Sequence, residues 1–299
     1  MFLFFSPLSY LFCVLYLIVL VFQSFQSDFL FSWLVMELVS LLFISISFSQ
    51  FRSNFSSLMV YFLIQALASL SIVVFWAFSS PFFLSLFLFL KLSSFPFHSW
   101  YLSVCYSFPN VCLLFASTLQ KLPPFLLLST DTQSYSTTMF FFCSIATVWL
   151  LGSSMLASSD MRYLLILSSV ANNSWLLLAF CTSDLFILFF FFLSYSFSFY
   201  LILFLFNAHS SPSFSLSLSK GQKFLLLIVV SNMSAFPPFP MFFVKLVLLF
   251  SLFSFLEWFS SGFLMLLLLG NGLLVIGYFQ CLMKLYFYEF TAAPLYIVF

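Results

Sequence analysis

The sequence predicts an all-α polytopic membrane protein of about ten transmembrane helices, arranged as two inverted five-helix repeats with helices four and nine broken. Three observations predict it. Of the 299 residues, 64% are hydrophobic and 5% charged, with a mean hydropathy of +1.23, whereas a soluble domain is about a quarter charged. The apolar runs are about twenty residues long, the length that crosses a bilayer as a helix. Prolines interrupt two of those runs, at Pro96 and at Pro237, Pro238 and Pro240, five spans apart.

The apolar runs are too long, and lack the strict alternation, for the strands of a membrane barrel. Reading the polar punctuation places spans near 2–22, 29–49, 56–78, 82–101, 109–129, 136–157, 163–182, 185–207, 223–248 and 263–287. The first repeat is expected over 1–132, and the second, with a short C-terminal tail, over 133–299. Residues 1 to 22 carry no charge, so neither a secretory leader with its basic start nor an Arg-rich presequence is expected there. The chain is expected to begin with a span and to be made inside the compartment that uses it. Phe accounts for 52 residues while Lys and Arg together make 8, a bias that a T-rich, A-poor organelle genome would produce.

The connections separate by sign. Those after odd-numbered spans carry Asp28, Asp131, Asp184 and Glu257; those after even-numbered spans carry Arg52, Asp160 with Arg162, Lys220 and Lys223, with Lys284 and Glu289 at the end of span ten. Basic residues gather on the side of synthesis, which places the N-terminus on the matrix side. The net charge of +1 gives no basis for a nucleic-acid partner. The six cysteines form no C-x-x-C pair and the two histidines, His98 and His209, lie far apart, so no metal, haem or iron–sulfur site is expected. With 6 glycines in the chain, a phosphate-cradling loop is not expected either.

Four charges remain inside spans: Glu37, Lys91, Lys121 and Lys245. One charge at the bilayer centre costs about 2.5–3.5 kcal/mol on insertion scales, so four cost on the order of 10 kcal/mol unless they meet partners or water. Such residues mark transport paths more often than not. The bland readings are a Lys91 that snorkels to the interface and a Glu37 that serves as structural glue. Lys91 precedes Pro96, and Lys245 follows the prolines of span nine. Proline frees a carbonyl, and a broken helix persists in lipid only where protein or water satisfies the freed groups. A lysine beside each break is therefore a candidate ion site. Five being odd, the second set of helices enters the membrane from the opposite side, the inverted-repeat layout of secondary transporters.

Six stretches match a known pattern in order along the chain: "WLVMELVSLLF", "YFLIQALASLSI", "KLSSFPFHSWYLSV", "LQKLPPFLLL", "SSDMRYLLILSSVANNSW" and "SAFPPFPMFFVKLVLL". The Lys–x4–Pro–Phe–His–x–Trp run from Lys91 and the Gln–Lys–Leu–x–Pro run from Gln120 are the most specific. On these the chain resembles the subunit 2 family of mitochondrial NADH dehydrogenase, antiporter-like membrane subunits of respiratory complex I (NADH:ubiquinone oxidoreductase). The resemblance implies proton translocation coupled to electron transfer, in the mitochondrial inner membrane, by a subunit that carries out no redox chemistry itself. It implies no cofactor bound by this chain, with NADH, FMN, iron–sulfur clusters and ubiquinone on other subunits. It also implies partners among adjacent antiporter-like and small membrane subunits, and lipids such as cardiolipin.

By motif, Glu37, Lys91, Lys121 and Lys245 match the family's proton-translocating glutamate and lysines, and His98 its Pro–Phe–His histidine, a candidate relay. The implied mechanism loosens the Lys91–Glu37 pair and passes a proton toward Lys121 and onward to Lys245. Two departures stand out. Asn172 occupies the place of a family histidine, so a water chain is expected there, and the residues after Phe290, "TAAPLYIVF", are too short to span, so the family's further C-terminal helix is not expected from them. Animal members resemble the fold with three N-terminal helices lost, which agrees with a matrix-side N-terminus. The alternatives from the residues themselves are a free-standing cation/proton antiporter and an assembly subunit with vestigial charges.

Overall fold

The computed structural model describes residues 7–50, 55–130, 137–158, 160–181, 185–207, 220–255 and 260–292. Its elements are α1 (Pro7–Ser24), α2 (Phe29–Gln50), α3 (Phe55–Ala77), α4 (Pro81–Leu92), α5 (Ser99–Ser107), α6 (Asn110–Ser117), a single 3-10 turn (Leu119–Lys121) and α7 (Leu122–Thr130). They continue with α8 (Thr137–Ala157), α9 (Met161–Cys181), α10 (Leu185–Asn207), α11 (Lys220–Met233), α12 (Pro240–Phe255) and α13 (Ser260–Ala292). No strand occurs among the described residues. Arg52, Asp131, Asp184, His209, Glu257 and the tail after Ala292 lie outside the described residues, as do the side chains of Lys220, Lys284 and Glu289.

Seven helical stretches among the described residues are long and apolar enough to cross a membrane: α2, α3, the run 110–130, α8, α9, α10 and α13. Shorter apolar helices supply the rest: α1, α4, α11 and α12. Taking α4 with α5 and α11 with α12 as interrupted spans gives the ten segments read from the sequence. Large apolar side chains face outward, with Phe186 80%, Phe250 70% and Leu67 66% exposed. Such a surface is stable only against lipid. The chain is a multi-pass membrane protein.

Segment lengths differ from the sequence expectation. Span four, expected over 82–101, runs from Pro81 to Ser107, and span nine, expected over 223–248, from Lys220 to Phe255. An interrupted helix spends residues on a link that advances the chain without helical rise, so it needs more of them. Span ten, expected over 263–287, is a 33-residue helix, about 50 Å long at 1.5 Å per residue. Span five, expected to be continuous, is broken at Thr118–Lys121. Pro123 and Pro124 follow at once; lacking N–H groups, they cannot bond carbonyls in the preceding turn.

The breaks in spans four and nine share one backbone design. At the end of α4, Ser93 N–H donates to Leu90 O at 3.3 Å and Ser94 N–H to Phe89 O at 2.9 Å; at the end of α11, Ala235 N–H donates to Asn232 O and Phe236 N–H to Ser231 O, both at 3.0 Å. This is the Schellman closure. The residue at its left-handed position is Ser93 (φ 55°) in one and Ala235 (φ 58°) in the other. Three residues later stand Pro96 and Pro238, each followed by Phe, and the Phe97 and Phe239 N–H groups each donate to the carbonyl three residues back.

By its internal packing the chain divides into two units, Met1–Thr147 and Val148–Phe299, a division that falls within α8. In the first, α2 packs on α1, α3 and α7, and α4 lies between α3 and α7. Its centre holds Met36, Val39, Phe43, Tyr61, Leu88 and Phe108. In the second, α9 is the central helix, buried continuously from Leu164 to Ala179, with α10, α12 and α13 packed against it. There α13 passes close to α8: a Cβ on Gly270 would lie 2.8 Å from Val148 Cγ1, and one on Gly277 2.8 Å from Met155 Cβ. Trp149 Nε1 donates to Leu266 O at 2.9 Å across the same contact.

The serines raise the question of bonds between helices. Their hydroxyls chiefly serve their own helix instead. Ser40, Ser45, Ser47, Ser154 and Ser168 each donate to the carbonyl three residues back. A hydroxyl satisfied in this way is tolerated in an apolar span.

Gly270→Val overpacks the α8–α13 contact and is expected to destabilise by about 1–3 kcal/mol, whereas Gly272→Ala, inside α13 with nothing within 4 Å of the new Cβ, is expected to raise stability by about 0.5–1 kcal/mol; thermal denaturation of the purified protein in detergent measures both. Ala235→Gly removes the Cβ penalty at positive φ and is expected to raise the denaturation midpoint, by about 1 kcal/mol in stability.

Candidate functional site

The interruption at Ser93 leaves Lys91 in the last turn of α4, where free carbonyls and the negative end of the helix dipole favour a cation. Its side chain does not run outward to the interface; it is 3% exposed. Lys91 Nζ donates to Glu37 Oε1 of α2 at 3.0 Å, and Glu37 is 25% exposed. Gln65 of α3 donates to the Lys91 carbonyl at 3.4 Å, so three helices meet at this residue.

Lys121 closes the 3-10 turn between α6 and α7 and is buried. Its ammonium lies 5.8 Å from the centre of the Tyr101 ring of α5, within cation–π range. The surrounding turn is tied to α1: Tyr16 donates to Gln120 Oε1 at 2.7 Å and Gln23 to the Pro123 carbonyl at 3.0 Å. Gln23 thereby meets a carbonyl next to the prolines.

Lys245 lies in the second turn of α12, buried. The dipole gives it no help there, since α12 begins at Pro240 and its positive end is the nearer one. Lys245 Nζ donates to Asn271 Oδ1 of α13 at 3.0 Å and sits 5.0 Å from the centre of the Trp175 ring of α9. Asn172 is buried three residues before Trp175 on α9, and helical residues three apart share a face. The turn leading into α12 is held by Asn232, whose Oδ1 accepts from Met241 N–H at 3.2 Å while its Nδ2 donates to Ser198 at 3.1 Å.

His98 stands at the N-cap of α5 with Nδ1 buried and without a hydrogen-bond partner among the described residues, and no bond from it to Lys91 or Glu37 is present among them. Trp100 Nε1, two residues on, is likewise buried and unbonded. Among the described residues no three His, Cys, Asp or Glu side chains cluster as a metal site requires. Sequence reasoning missed Gln65, Asn271, Trp175 and Asn232. The signal available for Asn271 was a neutral amide inside an apolar run, "LLGNGLL", overlooked because only charges were counted.

No protein-family profile matches the chain. It is 31% identical over 162 residues to NADH-ubiquinone oxidoreductase chain 2 of Artemia franciscana, covering 53% of this chain and 51% of that one. It is 33% identical over 89 residues to the protein of the same name from Gallus gallus, covering 30% and 26%. The chain thus spans about half the length of the first relative and about a quarter of the second. Among solved structures, respiratory complex I from Thermus thermophilus with bound aureothin contains a chain that superposes with a TM-score of 0.76 at 19% identity, over 93% of this chain and 70% of that one. A chain of the Mrp complex from Dietzia sp. gives 0.69 at 12% identity, over 83% and 55%. A chain of the archaeal membrane-bound sulfane sulfur reductase gives 0.69 at 14%, over 86% and 62%. The fold is that of these membrane subunits of multi-subunit complexes.

Removing one member of a buried ion pair costs about 3–5 kcal/mol, because the other charge is stranded. Glu37 is partly exposed, so Lys91→Met or Glu37→Gln alone is expected to cost about 2–3 kcal/mol, below that range for solvent screening. The double variant is expected to regain at least half of the loss. Denaturation midpoints of the four forms, read as a double-mutant cycle, check this.

Proposed function

We propose that the chain is a membrane-arm subunit of a respiratory NADH:ubiquinone oxidoreductase and takes part in the proton translocation driven by electron transfer from NADH to ubiquinone. The observation that carries the proposal is the Lys91–Glu37 pair, 3.0 Å apart at a broken helix, in a chain whose curated relatives bear the name NADH-ubiquinone oxidoreductase chain 2. In this reading the first five-helix repeat occupies 1–132 and the second 133–299. Neighbouring antiporter-like and small membrane subunits flank the chain, together with lipids such as cardiolipin. NADH, FMN, iron–sulfur clusters and ubiquinone sit on other subunits. The chain resides in the mitochondrial inner membrane with its N-terminus in the matrix and is encoded in the organelle.

The proton-carrying groups are Lys91, Lys121 and Lys245, with Glu37 as the exchangeable counter-ion of Lys91. A change of charge reaching Glu37 from its exposed side weakens the pair and makes Lys91 a better proton donor. Moving one charge against 100 mV requires about 2.3 kcal/mol, a swing of about fifty-fold in proton affinity. Loosening the Lys91–Glu37 pair, about 2–3 kcal/mol once screening at the partly exposed Glu37 is allowed for, is of that size. His98 acts as a relay beside the break, its unbonded Nδ1 able to take a water. Asn172 orders water where a protonatable ring would otherwise carry the proton.

Two measurements test the proposal. The chain is expected to co-purify with a large NADH-oxidising membrane particle; a chain that folds and exchanges cations alone would be a free-standing cation/proton antiporter instead. In the assembled particle Lys91→Met is expected to abolish proton movement coupled to NADH oxidation. Unchanged protons per NADH would remove Lys91 from the path.

A further inference from the structure

Lys245 is surrounded differently from Lys91. Its two contacts are a side-chain amide and an indole face, and no carboxylate lies within ion-pairing distance of it among the described residues. An ammonium has three donors and no acceptor, whereas a neutral amine has a lone pair that accepts. The partner that serves one form fails the other unless it offers both kinds of atom. A carboxylate accepts only and so serves the ammonium. An aliphatic side chain serves neither. An amide carries an oxygen that accepts and a nitrogen that donates, exchanged by half a turn about its last side-chain torsion.

We propose that Asn271 is a positioning residue for Lys245 that hydrogen-bonds it in both protonation states, so that the proton can leave without stranding a buried amine. The inference rests on Lys245 being a proton carrier, as set out under the proposed function. With the proton on, Nζ donates to Asn271 Oδ1, the geometry observed at 3.0 Å. When the proton passes to a water on the path, its bonding pair stays on Nζ. The amide turns and Nδ2–H donates to that pair. Nζ thus keeps a hydrogen-bond partner in either state, and neither state is locked. The Trp175 face adds attraction for the cation without becoming a second proton acceptor.

The test is a set of substitutions read in the assembled, NADH-oxidising complex as protons moved per NADH. Asn271→Asp keeps the shape of the side chain and removes its donor; Asn271→Gln keeps both donor and acceptor on a side chain one methylene longer. A residue needed only for packing tolerates Asp better than Gln. A two-state partner does the reverse: Gln is expected to retain at least half of the pumping, while Asp, holding the ammonium in an ion pair, loses about tenfold. Pumping by Asn271→Asp at the parent level, or a loss with Gln as deep as with Asp, overturns the inference. Lys245→Met is the control for its foundation. If Lys245→Met pumps normally, the proton-carrier reading of Lys245 fails and this inference with it. If Lys245→Met abolishes pumping and Asn271→Asp does not reduce it, the inference alone is overturned.

Discussion

An ammonium group with hydrocarbon on every side is not stable, and this chain holds three lysines within its spans. Each costs about 2.5–3.5 kcal/mol before it finds partners, against a net stability that for most domains is about 5–15 kcal/mol. The structure meets the constraint three ways. Lys91 has a carboxylate and the carbonyl end of a half-helix. Lys121 sits on a tightened turn beside an aromatic face. Lys245 has an amide and an indole. In every case a helix is interrupted within a few residues of the lysine. The common cause is that an unbroken helix consumes its own backbone polar groups, whereas a broken one offers carbonyls and N–H groups to whatever lies beside it.

The interruptions themselves carry a cost that the sequence did not minimise. Glycine is the ordinary residue for a left-handed helix end, yet Ser79, Ser93 and Ala235 all adopt positive φ, at about 1–2 kcal/mol each. The chain has 6 glycines in all, and those at 152, 270 and 277 are placed where α8 and α13 would otherwise collide. Close helix approach in a membrane depends on small residues because no hydrophobic driving force separates helix from lipid. Three of the six glycines are thus found where a Cβ has no room, and serine or alanine stands where a Cβ is merely strained.

Much of the fold is legible in the sequence because the bilayer sets a length that apolar runs must meet. The spans α2, α3, α8, α9 and α10 fall close to where hydropathy places them. The prolines at 96, 237, 238 and 240 mark two breaks through a local covalent fact, the missing N–H. The same fact at Pro123 and Pro124 marks the third, but it was not read as a break because the apolar run continues through it. Partnership is less legible. Glu37 and Lys91 are found as charges without their pairing following from any spacing, since they lie on helices separated by a third. Asn271 and Trp175 are missed because neutral polar groups carry little cost in a hydropathy count, and their relation to Lys245 is set by how α9, α12 and α13 pack. The serines show the converse: they look polar in composition, yet most of those described are bonded to a carbonyl of their own helix.

The two environments make Lys91 and Lys245 respond to different things. The Lys91 pair is Coulombic, so its strength follows any charge that comes near Glu37, and at 25% exposure that carboxylate can be approached from outside the chain. Charge interactions in a medium of low dielectric are long-ranged and weakly screened, so a partner need not touch Lys91 to change its hold on a proton. Lys245 is held by neutral groups whose influence falls off within a contact distance. On the proposed reading its proton is governed by local geometry, above all by whether the amide of Asn271 presents oxygen or nitrogen. A charged pair is suited to receiving a signal and a neutral partner to letting a proton go, because the first has a large energy to lose and the second has almost none. A chain that carried only ion pairs would hold its protons too firmly to release them. One that carried only neutral cages would have no group on which a distant charge could act.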